Sequence, residues 1–225
     1  MSSSKKIDIK KMSVIAMLCA LGFLCTVLFK FKVSFLTFDI KDAILAISSL
    51  LYGPIAGLFS SLIVALLEMV TVSDTGIYGM IMNFLSSGTF TLVCGLIYKY
   101  KRNLTGAIIG VVAAAFSVTA VMLLANLFIT PFYMGVERGV VIGMLGTLLL
   151  PFNLTKAVLN AALTLVIYKP FTAAMRKTKL LPENKNQGYK FGVKTILLII
   201  SAVIVIVLAM LFFTLYLDGT FEFLG

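Results

Sequence analysis

The chain has 225 residues, 60% of them hydrophobic and 12% charged, with a formal net charge of +10. So few charges cannot cover so much apolar surface in a soluble fold, which excludes a soluble enzyme, a disordered chain and a secreted disulfide scaffold and leaves an integral membrane protein. In such a protein an excess of Lys and Arg marks cytoplasmic loops and not a nucleic-acid partner, while the absence of histidine removes His-based triads, HExxH zinc sites and histidine-ligated haem.

Met1–Lys11 carries Lys5, Lys6, Lys10 and Lys11 ahead of an apolar run from Met12 to Phe29. That run is longer than a signal-peptide core and no small-residue cleavage site follows it, so it reads as the first transmembrane helix. Ala16 and Ala20 lie four residues apart on it, with Gly22 beyond. Small residues at this spacing let a second helix backbone approach closely, inside the bundle or on a partner. Cys19, Cys25 and Cys94 fall inside apolar runs and read as small packing residues.

The first outer loop, Lys30 to Lys41, contains Val33-Ser34-Phe35-Leu36-Thr37-Phe38-Asp39. Its alternation predicts an extended segment that lays aromatics over a pocket, or one whose Phe35 and Phe38 only anchor it at the interface. Apolar stretches follow at Ala43–Tyr52, Ile55–Val72, Met80–Tyr98, Leu104–Phe128, Phe152–Tyr168 and Lys194–Leu217. The first is short and runs into an uncharged turn, Gly53-Pro54-Ile55-Ala56-Gly57. Gly139–Leu150 is too short to span; because proline is favoured in a first helical turn, the sixth span is expected to begin at Pro151, leaving Gly139–Leu150 as a re-entrant or lid segment.

Seven spans with the N-terminus inside put 14 of the 19 basic residues on the cytoplasmic side, and Lys30, Lys32, Lys41 and Arg138 outside. The expected organisation is a cytoplasmic N-terminus over 1–11, a six-helix membrane domain over 12–170, a basic cytoplasmic linker over 171–193, a further helix over 194–217 and an external tail over 218–225. The last helix is apolar all round apart from Thr195, Ser201 and Thr214, which predicts a peripheral, loosely tethered, lipid-facing span dispensable for recognition.

Polar side chains inside spans are costly and mark function by default. Asn153 and Lys156 share a helix face, which Asn160 continues one turn on. An amide and an ammonium there suit a neutral ligand with imide-like edges; alternatively Asn153 caps the helix and Lys156 snorkels outward. Asn126, near the outer end of the fifth helix, lies at a matching depth and serves either a shared site or an interhelical hydrogen bond. Glu68, near the outer end of the third helix, is expected to pair with a loop lysine.

Together these pieces resemble the substrate-binding S components of energy-coupling factor (ECF) vitamin transporters, over about residues 10–170, and within that family the riboflavin-specific member. The resemblance rests on Ala16 and Ala20, the segment Phe35–Asp42, the turn Tyr52–Gly57, Asn126 with Pro131 and Tyr133, and Pro151-Phe152-Asn153-Leu154-Thr155-Lys156. It implies that Asn126, Asn153 and Lys156 hydrogen-bond the pyrimidine edge of the isoalloxazine ring, that Thr37 covers the ligand, and that Asp39 lies toward the ribityl hydroxyls. It further implies that Ala16 and Ala20 meet a transmembrane T subunit, which joins two ATPase subunits. Riboflavin is then cargo in the lipid bilayer, and no cofactor is expected. The chain has no GxxxxGK[ST] phosphate loop, so ATP hydrolysis would belong to the partners.

Another vitamin, such as pantothenate or thiamine, is the alternative ligand. An intramembrane enzyme without histidine would need paired acids or a Ser–Lys dyad; here the acids are scattered at outer ends, and Lys156 has only Thr155 beside it and Thr164 farther down.

Overall fold

A helix needs about 20 residues to cross roughly 30 Å of hydrocarbon, and among the described residues of the computed structural model six helices are long and apolar enough to do so. The residues described are 9–178, 193–218 and 220–222; Lys5 and Lys6 of the N-terminal basic run, and Lys179, Lys185 and Lys190 of the linker, lie outside them. Helix α1 (Ile9–Leu28) leads into a hairpin of β1 (Lys30–Val33) and β2 (Leu36–Phe38), followed by α2 (Lys41–Tyr52), α3 (Pro54–Thr71), α4 (Gly76–Tyr100) and α5 (Leu104–Met134). Helix α6 (Arg138–Met144) passes through a π-helical turn, Leu145–Leu149, into α7 (Leu150–Lys177); α8 (Val193–Leu215) and a short strand, β3 (Thr220–Glu222), follow. The architecture is the all-α membrane bundle with an added C-terminal helix that the sequence predicts.

Helix α2 sits at the centre. Its 12 residues reach about 18 Å, too little to cross a bilayer alone, and it packs against α1, α3, α4 and α7 with nine residues buried. Gly53 ends it with a positive φ of 97°, a conformation open to glycine, and Pro54 opens α3 at once. The contact between this turn and α4 is made of small residues. Ser49 Oγ donates to the Thr91 carbonyl at 2.6 Å, and Ser61 Oγ lies 3.1 Å from Thr91 Oγ1. A Cβ on Gly95 would lie 1.9 Å from Ser49 Oγ and 3.0 Å from Pro54 Cα, so only glycine fits there.

The sixth span differs from the sequence expectation. Helix α6, the π turn and α7 form one continuous apolar helix over Arg138–Met175, so Gly139–Leu150 is not re-entrant and Pro151 does not start the span. A proline ring inside a helix clashes with the carbonyl four residues back, here that of Thr147. The widened turn over Leu145–Leu149 takes up that clash and lets the helix run on.

Helix α8 also departs from expectation. Most of it faces outward, as predicted, but Ala202, Ala209 and Phe213 form a buried stripe against α7. The Phe213 ring lies 5.8 Å from Phe31, 5.0 Å from Phe38 and 5.6 Å from Phe152, centroid to centroid. Beyond the helix, β3 pairs antiparallel with β1. The helix is therefore attached to the bundle at its C-terminal end and is not loosely tethered there.

Gly95→Ala should push α4 off the α2–α3 turn at a cost of about 1–3 kcal/mol, read as a lower unfolding midpoint in detergent. Gly139→Ala, whose added methyl meets no atom within 4 Å, should leave the midpoint unchanged.

Candidate ligand-binding site

A cavity of about 390 Å³ lies under the hairpin at the end of the bundle where α1, α3 and α5 finish. Its size falls in the range of small-molecule sites, roughly 300–1,000 Å³. The hairpin roofs it with Lys32, Phe35, Leu36 and Thr37; α5 lends Met122, Asn126 and Tyr133; α7 lends Phe152, Asn153 and Lys156; and α3, α4 and their connecting loop close the far side with Glu68, Thr75, Tyr78, Met82 and Asn83. Phe35 packs against Tyr133 at 6.2 Å, which ties the hairpin tip to the end of α5.

All five residues that the sequence singles out for the ligand line this one cavity: Thr37, Asp39, Asn126, Asn153 and Lys156. The two asparagines are fixed by the same local device. Asn126 Nδ2 donates to the Met122 carbonyl at 2.7 Å, and Asn153 Nδ2 donates to the Leu149 carbonyl at 2.8 Å, each one turn back along its own helix. The Leu149 carbonyl belongs to the π turn, which thus helps to aim Asn153. An amide has two N–H donors and a carbonyl acceptor. Each asparagine therefore keeps one N–H, and among the described residues the Asn153 amide oxygen accepts no hydrogen bond. The Asn126 oxygen already accepts from Thr130 Oγ1 at 2.9 Å.

Lys156 does not snorkel outward. Its ammonium donates to Asp39 Oδ2 at 3.0 Å and to the Thr37 carbonyl at 3.4 Å, leaving a third N–H. Asp39 in turn receives the Lys41 backbone N–H on Oδ1 at 3.2 Å and meets the Lys41 ammonium at 3.4 Å. Burial alone would raise the Asp39 carboxyl, but the Lys156 and Lys41 cations outweigh it and hold its pKa at about 2. A depressed carboxylate stabilises the fold at every pH above the ordinary carboxylate range, and this contribution fades only as pH falls toward 2.

The charge sequence continues inward. Lys41 donates to both oxygens of Glu68, at 2.8 and 2.7 Å, which is the lysine pairing the sequence predicts for Glu68. Glu68 also accepts from Thr26 Oγ1 and from Asn83 Nδ2, both at 2.8 Å, so three side chains place four hydrogen bonds on one carboxylate. Asp42, one residue on, accepts from Ser87 Oγ, and Ser86 Oγ lies 3.5 Å from it.

Asn160 does not line the cavity. Its Nδ2 donates to the Asp39 carbonyl at 3.1 Å and its Oδ1 accepts the Ala43 N–H at 3.0 Å, clamping the hairpin's exit to α7. Sequence reasoning passed over Asn83, Thr26, Asp42 and Lys41 as site residues. Asn83 is a polar group inside a span, and the rule that flags Asn126 would flag it equally. Asp39, Asp42 and Glu68 are each engaged by donors, and among the described residues no three or more His, Cys, Asp or Glu gather as a metal site. On the opposite flank, Ala16 and Ala20 are exposed on α1, while Val14, Leu18, Cys19 and Gly22 face the bundle; the small-residue pair is thus not an internal contact.

Residues 10–168 match the family model described as ECF transporter, substrate-specific component. The riboflavin transporter RibU of Staphylococcus aureus (strain TCH60) is 28% identical over 171 residues, covering 71% of this chain and 89% of its own. A solved structure of the S component of a bacterial ECF transporter matches with a TM-score of 0.64 and 28% identity, over 75% of this chain and 98% of that one.

Breaking the buried pair on one side strands a charge, at a cost of about 3–5 kcal/mol. Lys41→Met and Glu68→Leu should therefore each lower the unfolding midpoint followed by circular dichroism, and the Lys41→Met/Glu68→Leu double variant should recover much of the loss. Simple addition of the two losses would mean that the residues do not act as a pair. The chain belongs to the family of ECF transporter substrate-specific components; it is a substrate-binding membrane protein and not an enzyme.

Proposed function

We propose that this substrate-specific component binds riboflavin, with Asn126, Asn153 and Lys156 as the grip on the pyrimidine edge of the isoalloxazine ring. The observation that carries the reading is the convergence of these three side chains on one cavity, each with a donor left over. The pyrimidine edge alternates carbonyl acceptors with an N–H donor. The free N–H groups of Asn126, Asn153 and Lys156 serve the carbonyls, and the Asn153 amide oxygen serves the N–H. Phe152, Met122, Tyr133 and Leu36 supply apolar surface for the ring faces. Thr37 covers the ligand from the hairpin, and Asp39 holds Lys156 in place while offering its remaining lone pairs to the ribityl hydroxyls. The name of the RibU relative supports the same ligand.

Charge balance favours riboflavin over the alternatives. The ionisable residues lining the cavity are Lys32, Lys41 and Lys156 against Asp39, Glu68 and Asp74. Three cations against three anions suit an uncharged vitamin. A carboxylate such as pantothenate or a cation such as thiamine would enter with its charge unmatched.

In this reading the cavity opens to the external face, with the N-terminus cytoplasmic and the C-terminus outside, an orientation that the clustering of basic residues supports. The exposed stripe at Ala16 and Ala20 docks the T subunit of the transporter, and two ATPase subunits supply ATP hydrolysis.

Titration of the purified chain with riboflavin should quench flavin fluorescence, and excess pantothenate or thiamine should not reverse it. Lys156→Met removes the charged donor and should weaken binding by about 1.5–3 kcal/mol; unchanged affinity in a folded variant would contradict the assignment. Ala16→Trp should abolish uptake and co-purification with ATPase subunits while leaving vitamin binding intact. Loss of folding and binding together would contradict the docking assignment.

A further inference from the structure

We infer that α8 and β3 latch the hairpin over the cavity, with Phe213 as the positioning residue, so that the added C-terminal helix controls how readily the site opens. The argument starts from the register of the hairpin. Phe31 pairs with Phe38, Lys32 with Thr37 and Val33 with Leu36. Successive side chains on a strand point to opposite faces; Lys32 and Thr37 line the cavity, while Phe31, Val33 and Phe38 are buried on the other face, and Leu36, at the hairpin's end, touches both. An isolated two-stranded hairpin is marginally stable at best. This one has an apolar back that must be covered and a free β1 edge that must be paired.

The C-terminal segment does both. Phe213, 0% exposed on a helix whose Leu208 is 59% exposed, packs its ring against Phe31, Phe38 and Phe152. Strand β3 then pairs along the β1 edge, with Thr220 opposite Lys32, Phe221 opposite Phe31 and Glu222 opposite Lys30, giving the order β2-β1-β3. The contact reaches the site through few atoms. Thr37, directly after Leu36 and before Phe38 on β2, gives its carbonyl to Lys156, and Asp39 follows. A shift of the Phe31–Phe38 face therefore moves the acceptors that orient the Lys156 ammonium. This reverses the sequence expectation that the last helix is dispensable for recognition.

The test compares the full chain with Phe213→Ala, Phe213→Leu and the lipid-facing control Leu208→Ala, by two readouts. The first is amide hydrogen exchange of residues 30–38 without vitamin, which is independent of the ligand. The second is the riboflavin dissociation rate, which rests on the function proposed above. Phe213→Ala should speed hairpin exchange and dissociation tenfold or more with exchange in α3–α5 unchanged. Phe213→Leu, which keeps part of the packing, should raise both by a smaller but measurable factor, about two- to threefold, and Leu208→Ala should alter neither. A folded Phe213→Ala protein with wild-type exchange in the hairpin overturns the latch. If Phe213→Ala does not fold, Phe213→Leu decides: faster exchange confined to the hairpin supports the latch, and a global rise or no change refutes it. Absence of riboflavin binding by the unmodified chain would count against the ligand alone, and the exchange readout would still decide the latch.

Discussion

Four alternating charges, Lys156, Asp39, Lys41 and Glu68, hold the binding end of this bundle together. They are forced by the shortness of α2. A helix of about 18 Å cannot cross the membrane, so the polypeptide before it must enter the bundle as hairpin and turn. Irregular backbone packed into a bundle must have its polar groups satisfied by the protein. Asn160 takes the Asp39 carbonyl and the Ala43 N–H, and the charge series secures the side chains on either side of that clamp. A buried ion pair is poor evidence of stability in itself, since its desolvation offsets most of its attraction. Its value here is positional, because it joins α1, α2, α3, α4 and α7 through side chains of five different elements.

The same series leaves the cavity polar yet with its charges paired. Lys156 brings a cation to the cavity, but Asp39 cancels it and spends one of its three N–H groups. Asn126 and Asn153 each spend one N–H on their own helix and so arrive already oriented. Few of the site's polar atoms need to move when a ligand enters, which limits the ordering cost of binding.

Much of this was legible in the sequence, for stated reasons. Apolar runs of span length locate the crossing helices, and Asn126, Asn153 and Lys156 stand out because polar groups are costly in such runs. Alternation in 33–39 marks the hairpin, and an acid in a span, Glu68, implies a buried cation. The misses have equally physical causes. A π turn leaves no periodic signature, so the passage from α6 to α7 through Pro151 read as a break. A helix that is apolar all round shows no preferred face, so Phe213 could not be distinguished from its lipid-facing neighbours, and a strand as short as β3 carries no pattern. Asn160 continues the face of Asn153 and Lys156 by spacing alone, yet the hairpin's exit occupies it first.

The most direct test of the account is an experimental structure of the chain with riboflavin bound. The expected result is a ring whose pyrimidine edge lies within hydrogen-bond distance of Asn126, Asn153 and Lys156 under an intact hairpin, with the pairs Lys156–Asp39 and Lys41–Glu68 preserved. A flavin seated elsewhere, or a bound state in which Lys156 has left Asp39 and the hairpin has lifted, would contradict it.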